Sequence, residues 1–180
     1  KTIEVLGPMS GTYTVNPAAP QTPSNFQTIG YADSSMMARS IIGPVTIAIY
    51  NGTYSQTNLV LNTVPGASST NTIKFTSFSN DSLQVNITGP FIIKNVPYVT
   101  LEKLKFSGTI QIGETANNFT VKNCNITGRI EHNAGSNLNV LNNYLQGGVQ
   151  ATGFTGTLIN GVLLKNNRIV GGSSDGNGSP

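Results

Sequence analysis

The stretch VTLEKLKFSGTIQI (residues 99–112) is followed by FTVKNCNITGRIEH (119–132) and LNVLNNYLQGGVQA (138–151), and the three read as copies of one another. With Val99, Leu101, Leu104, Phe106, Gly108, Ile110 and Ile112 as the frame, the second copy supplies Phe119, Val121, Cys124, Ile126, Gly128, Ile130 and His132. The third supplies Leu138, Val140, Asn143, Leu145, Gly147, Val149 and Ala151. A shorter fourth copy, VLLKNNRIVG (162–171), keeps Val162, Leu164, Asn167, Ile169 and Gly171. The copies start 20, 19 and 24 residues apart with unchanged internal offsets. A register held this long marks a structural repeat.

Within each copy apolar residues alternate by two, skip one position, then alternate again, which describes short strands joined by a bend that resets the inward face. The skips are rich in Asn (Asn123, Asn142, Asn166), a residue that tolerates left-handed backbone. Gly108, Gly128, Gly147 and Gly171 mark a second bend. No copy sustains the i, i+3, i+4, i+7 spacing of a helix. The fold expected is therefore all-β, a parallel β-helix (solenoid) of about 20-residue rungs. Like side chains would stack about 4.8 Å apart, with Leu104, Cys124, Asn143 and Asn167 as an interior ladder in which Asn amides bond from rung to rung. Cys124 reads as a small buried filler.

The N-terminal half fits less regularly. Ile73, Phe75 and Phe78 match the first half of a rung, and Val45, Ile47 and Ile49 lead into Asn51-Gly52-Thr53-Tyr54. Asp33 reads as the N-cap of a two-turn helix over 34–42, stopped at Gly43-Pro44 and placed to cap the first rung. One domain over 1–180 is expected, with entry and cap in 1–44, rungs in 45–171 and a flexible tail in 172–180.

Composition agrees with stacking. Asn, Thr, Gly and Ser supply 79 of 180 residues, against ten Lys or Arg and seven Asp or Glu, so neutral hydrogen-bonding groups do most of the solubilising. A net charge of +3 with few aromatics makes a nucleic-acid surface unexpected. No apolar run approaches the roughly 18 residues of a membrane span, so no membrane insertion is expected. One Cys excludes an intramolecular disulfide and multi-Cys metal sites, and no cofactor is expected.

The rungs from Val99 onward, with their Asn ladder, resemble the right-handed parallel β-helix (pectate-lyase-like) superfamily. The front end, Ser10-Gly11-Thr12-Tyr13, Gly43-Pro44-Val45-Thr46-Ile47 and Pro65-Gly66-Ala67-Ser68, is similar to the entry region of large secreted surface proteins of Bacteroidetes-type bacteria. The resemblance implies a right-handed coil, a secreted or cell-surface location, and a chain that is a fragment of a larger surface protein; the opening on Lys1 suits an excised piece. It specifies no activity, because lyases, hydrolases, adhesins and phage tail parts share the scaffold.

Lyases of this fold use an Arg or Lys base with acidic residues holding calcium. The outward positions after the Gly bend place Gln111, Glu131 and Gln150 in one row with Arg129 beside it. Such a stripe hydrogen-bonds sugar hydroxyls, but one carboxylate holds no calcium unaided. His132 takes the register place of Ile112 and Ala151, so it is expected to face inward while Glu131 faces out. A second outer row, Glu102, Lys122, Leu141 and Lys165 with Lys105, Asn125, Tyr144 and Arg168 beyond, is mildly basic and reads as a solubilising face or an acidic-glycan contact. Matches to the N-glycosylation pattern at Asn51, Asn80, Asn86, Asn118, Asn125 and Asn177 follow from composition. The reading favoured is a non-catalytic module for adhesion or carbohydrate contact, with Gln111, Arg129, Glu131 and Gln150 as ligand-binding residues and a polysaccharide or glycan as partner. The alternatives are a polysaccharide lyase or glycoside hydrolase using Arg129, Glu131 and His132, and a structural stalk built by head-to-tail self-association.

Overall fold

Alternating apolar and polar residues bury one face of the strands from β1 to β16, and the chain repeats this in sets of three strands. The computed structural model describes residues 6–55, 59–113, 115–151 and 160–170, and over these the protein is all-β with one helix. β1 (Met9–Val15), β2 (Asn25–Phe26) and α1 (Ile29–Arg39) come first. The first triplet is β3 (Ile41–Ile49), β4 (Gly52–Ser55) and β5 (Leu59–Leu61), and the second β6 (Ile73–Ser77), β7 (Val85–Thr88) and β8 (Phe91–Ile93). The third is β9 (Val99–Glu102), β10 (Lys105–Phe106) and β11 (Ile110–Ile112), and the fourth β12 (Phe119–Lys122), β13 (Asn125–Ile126) and β14 (Ile130–His132). The fifth comprises β15 (Ser136–Leu141), β16 (Tyr144–Leu145) and β17 (Val149–Ala151), and β18 (Asn160–Lys165) and β19 (Arg168–Ile169) follow.

Each member of a triplet pairs with the corresponding member of the next, always in parallel. The first members, with β1 and β2, form an eight-stranded sheet, the second a six-stranded sheet and the third a five-stranded sheet. Pairing register coincides with the sequence repeat: Val121 lies beside Leu101 and Val140, Ile126 beside Phe106 and Leu145, and Ile130 beside Ile110 and Val149. Burial of these columns drives association, each buried aliphatic side chain contributing about 1.5–3 kcal/mol. Phe75, Phe91 and Phe106 continue the core edge to face, with ring centroids 5.8 and 5.7 Å apart.

The bends have two distinct causes. Between first and second strands, Lys103, Asn123, Asn142 and Asn166 sit at φ of 53 to 56° in the left-handed region, where Asn is the least strained choice after Gly. A second left-handed column, Tyr98, Asn118, Asn137 and Gly161, stands at the entry to the first strands, just before β9 and β12 and at the second residue of β15 and β18. The glycine bend is different: a Cβ on Gly108, Gly128 or Gly147 would strike the carbonyl oxygen of the glycine one triplet earlier (Gly89, Gly108 and Gly128). Close backbone approach demands glycine there. Gly171 and the tail lie outside the described residues.

Inside the Asn bend the expected ladder is built. Asn143 Oδ1 accepts from the Cys124 backbone N–H at 2.8 Å, and Asn167 Oδ1 accepts from the Asn143 N–H at 2.9 Å. Their amide nitrogens donate to the carbonyls of Val121 (2.9 Å) and Val140 (2.7 Å). The Cys124 thiol donates to the Lys122 carbonyl at 3.3 Å, and burial pushes its pKa up to about 12, which keeps it protonated and inert.

Two expectations for the N-terminal half are corrected. The helix begins at Ile29 behind Thr28, whose Oγ1 accepts from the Tyr31 N–H at 3.1 Å; Asp33 is not the cap but a residue of the buried face, with Ile29, Ala32 and Met36. It ends at Arg39, and Ile41 and Ile42 open β3, so residue 44 falls inside a strand rather than at the end of a cap segment. α1 packs against β1, β2 and β5. Phe78 does not point inward: it stacks on Tyr50 with ring centroids 4.1 Å apart and is 50% exposed. At the opposite end Val162, Leu164 and Ile169 occupy inward register positions on the last strands of their sheets and are exposed.

Candidate functional site

The five-stranded sheet positions the predicted row. Gln111, Glu131 and Gln150 are the middle residues of β11, β14 and β17 and pair in register, so strand alternation turns all three to the outer face. Arg129 lies one residue before β14. The structure joins the four into a single network. Gln111 Nε2 donates to Glu131 Oε2 at 3.0 Å, Arg129 Nε pairs with Glu131 Oε1 at 2.8 Å, and Arg129 Nη1 donates to Gln150 Oε1 at 3.3 Å.

Glu131 is the shielded centre, its side chain 18% exposed against 49% for Arg129. Both its oxygens are engaged, Oε1 by the Arg129 guanidinium and Oε2 by the Gln111 amide, so each already has a partner on the protein. Arg129 has five N–H donors, of which these contacts use two, so others remain for a ligand. Beside it opens a concavity of about 350 Å³ lined by Thr109, Thr127, Gly128, Arg129 and Gly147. Thr109 is an outward position of the repeat beside Gln111, whereas Thr127 is a member of the site that the repeat did not single out; its place beside the bend glycine Gly128 was the signal available.

His132 is not part of this surface. It is fully buried beneath the outward Glu131, in the column of Ile112 and Ala151, and neither ring nitrogen has a hydrogen-bond partner. Burial lowers its pKa, a backbone contact at Ala134 opposing the shift, so it is neutral at pH 7. Arg129 and Glu131 therefore come together, and His132 is separated from both by the strand itself.

Among the described residues no three of His, Cys, Asp and Glu come together to hold a metal ion, and no helix is long and apolar enough to cross a membrane. Comparison with protein-family models, with curated proteins and with solved structures finds no match to this chain.

Proposed function

We propose that the protein is a right-handed parallel β-helix of the pectate-lyase-like kind, serving as a secreted or cell-surface module that contacts carbohydrate without cleaving it. Successive triplets are then its rungs. The three parallel sheets, built from β3 onward by every third strand, support the winding, and a parallel crossover within one sheet is right-handed in about 98% of cases. α1 is its N-terminal cap, and because it packs on strands at that end it stands in the way of head-to-tail stacking of copies.

One observation carries the functional reading: Gln111, Glu131, Arg129 and Gln150 form a connected network across three adjacent strands, on an outer face. Planar amides and a guanidinium fixed at inter-strand spacing suit the hydroxyls of a sugar chain, and hydrogen bonds that need no ordering on binding retain more of their strength. The non-cleaving part rests on a carboxylate occupied at both oxygens and on His132 facing the core.

The test is a glycan-array screen followed by titration of any ligand found. Wild type is expected to bind, and Arg129→Ala to bind at least tenfold more weakly, the loss of one charge-assisted contact. A wild type that binds no glycan, or an Arg129→Ala variant that binds equally well, overturns the reading. Depolymerisation of an anionic polysaccharide by wild type, lost in Arg129→Ala, replaces it with a lyase.

A further inference from the structure

The helix α1 covers the first strands with a narrow apolar stripe that contains a carboxyl group. Ile29, Ala32 and Met36 are fully buried, and the fourth buried residue of the stripe is Asp33. A carboxyl in such a place costs little while protonated and much once charged, unless a cation or hydrogen-bond donors meet it. Oδ1 of Asp33 is buried and has no hydrogen-bond partner. The strands packed on α1 are β1, β2 and β5, and none of them carries a charged side chain; Tyr13 is their one titratable residue. On α1 itself Tyr31 is exposed, and the one cation, Arg39, is turned elsewhere. Its Nε donates to the Gly7 carbonyl at 2.8 Å and its Nη1 to the Pro23 carbonyl at 3.0 Å, with the guanidinium 5.5 Å from the Tyr13 ring centroid.

These contacts divide the helix into a fastened end and a looser body. Arg39 pins the last turn, and just beyond it the Met9 N–H donates to the Ser40 carbonyl and the Ile41 N–H to the Pro65 carbonyl, both at 2.9 Å. The turns from Ile29 to Met36 dock through their three apolar side chains, with Asp33 among them. No sheet pairing passes through α1, because the sheets pair strand to strand. Where each layer of a stack is held by its neighbours, a piece at the end can open without the rest.

We propose that α1 is a pH-sensitive cap: ionisation of Asp33 loosens the helix from β1, β2 and β5 while the triplets behind it stay folded. The docked helix favours the neutral carboxyl, and the open helix puts the charged one in water. Burial raises the docked pKa from 3.8 to about 7, so docking is strongest below 3.8 and weakens by up to tenfold per pH unit as pH rises toward 7. Beyond about 7 the loss is complete. The end of the stack that Ile29, Ala32 and Met36 cover is then closed in mild acid and opens more often in mild alkali.

The experiment measures amide hydrogen exchange of the full chain at pH 5.5 and pH 8 for wild type and Asp33→Asn. Rates are expressed as protection factors, which cancels the intrinsic pH dependence of exchange. In wild type the α1 amides are expected to lose at least tenfold in protection between the two pH values, while those of β9, β12 and β15 change by less than about threefold. Asp33→Asn keeps the side chain's shape and cannot ionise, so its α1 protection is expected to stay within about threefold. Carbon-13 NMR titration of the wild-type carboxyl groups reads the same proton without a variant, and Asp33 is expected to titrate near pH 7. A midpoint in the ordinary range of about 4 overturns the proposal. So does α1 protection that is equal at the two pH values, or that falls as far in Asp33→Asn as in wild type. Loss of protection in the strands to the same extent as in α1 shows global rather than local opening and overturns it as well.

Discussion

Among the described residues, Asp33 and His132 are buried with polar atoms that have no hydrogen-bond partner, Oδ1 of the one and both ring nitrogens of the other, and they respond to pH in opposite directions. Asp33 is 7% exposed, its Oδ1 has no hydrogen-bond partner, and burial raises its pKa from 3.8 to about 7. The folded protein therefore binds this proton more tightly than the unfolded chain. The resulting stability is complete below pH 3.8 and is lost as pH rises through about 7. His132 has its pKa lowered, so its contribution is present above the ordinary histidine value and is lost as pH falls through the depressed one. Asp33→Asn keeps the shape and removes the titration. Denaturant unfolding at pH 5 and pH 8 should show the variant's advantage over wild type growing by about 2–3 kcal/mol between the two, from a shift of about 1.4 kcal/mol per pKa unit. An advantage independent of pH would mean that Asp33 is solvated. The same residue explains why the helix start was misread. Ile29, Ala32, Asp33 and Met36 follow i, i+3, i+4, i+7, but a carboxylate in the apolar stripe disguises it, and Asp is as good a cap in sequence as Thr28.

At the scale of elements, strands and their pairing were legible because each position is constrained twice, by alternation along the strand and by its neighbours in the stack. The Asn bend was legible too, since left-handed backbone and a buried amide both select Asn. Its interior half is testable. In Asn143→Ala the Cys124 N–H and the Val121 carbonyl lose their partner in the core, and unfolding should show a loss of about 2–6 kcal/mol, at about 1–3 kcal/mol for each unsatisfied group. A loss below 1 kcal/mol would mean that the ladder does not carry the bend. Glycine at the second bend was visible, but its cause, carbonyl contact between stacked glycines, belongs to the assembled sheet. Phe78 was misplaced because seven residues separate β6 from β7 where two separate β9 from β10. The longer connector frees Phe78 from the repeat's register, and Tyr50 offers it an outer surface.

For the whole molecule, scarcity of charge and placement of charge have one origin. Stacking aligns equivalent residues about 4.8 Å apart, so ionic columns are costly and neutral hydrogen-bonding residues dominate. Half of the ten Lys and Arg, namely Lys103, Lys105, Lys122, Lys165 and Arg168, stand at or beside the bends between the eight-stranded and six-stranded sheets, and Arg129 is paired with Glu131 on another sheet. The residues of the Arg129 network were legible from register alone, whereas their hydrogen bonds were not, because rotamers are chosen by neighbours in space. The central claim is that the chain winds through three sheets in the register of its repeat. Cysteine pairs in a Cys124→Ala background test it directly: Thr100/Thr120, Asn125/Tyr144 and Gln111/Glu131 are in-register neighbours, one pair in each sheet. A Cα separation of about 4.8 Å lies inside the disulfide window of roughly 4.4–6.8 Å, and pairs two strands apart in one sheet, Thr100/Asn139 and Gln111/Gln150, lie at about twice that spacing. The account predicts that the three neighbouring pairs oxidise to intramolecular disulfides in the folded protein and the two skipped pairs do not; closure of a skipped pair, or failure of the neighbouring pairs in a folded protein, would contradict it.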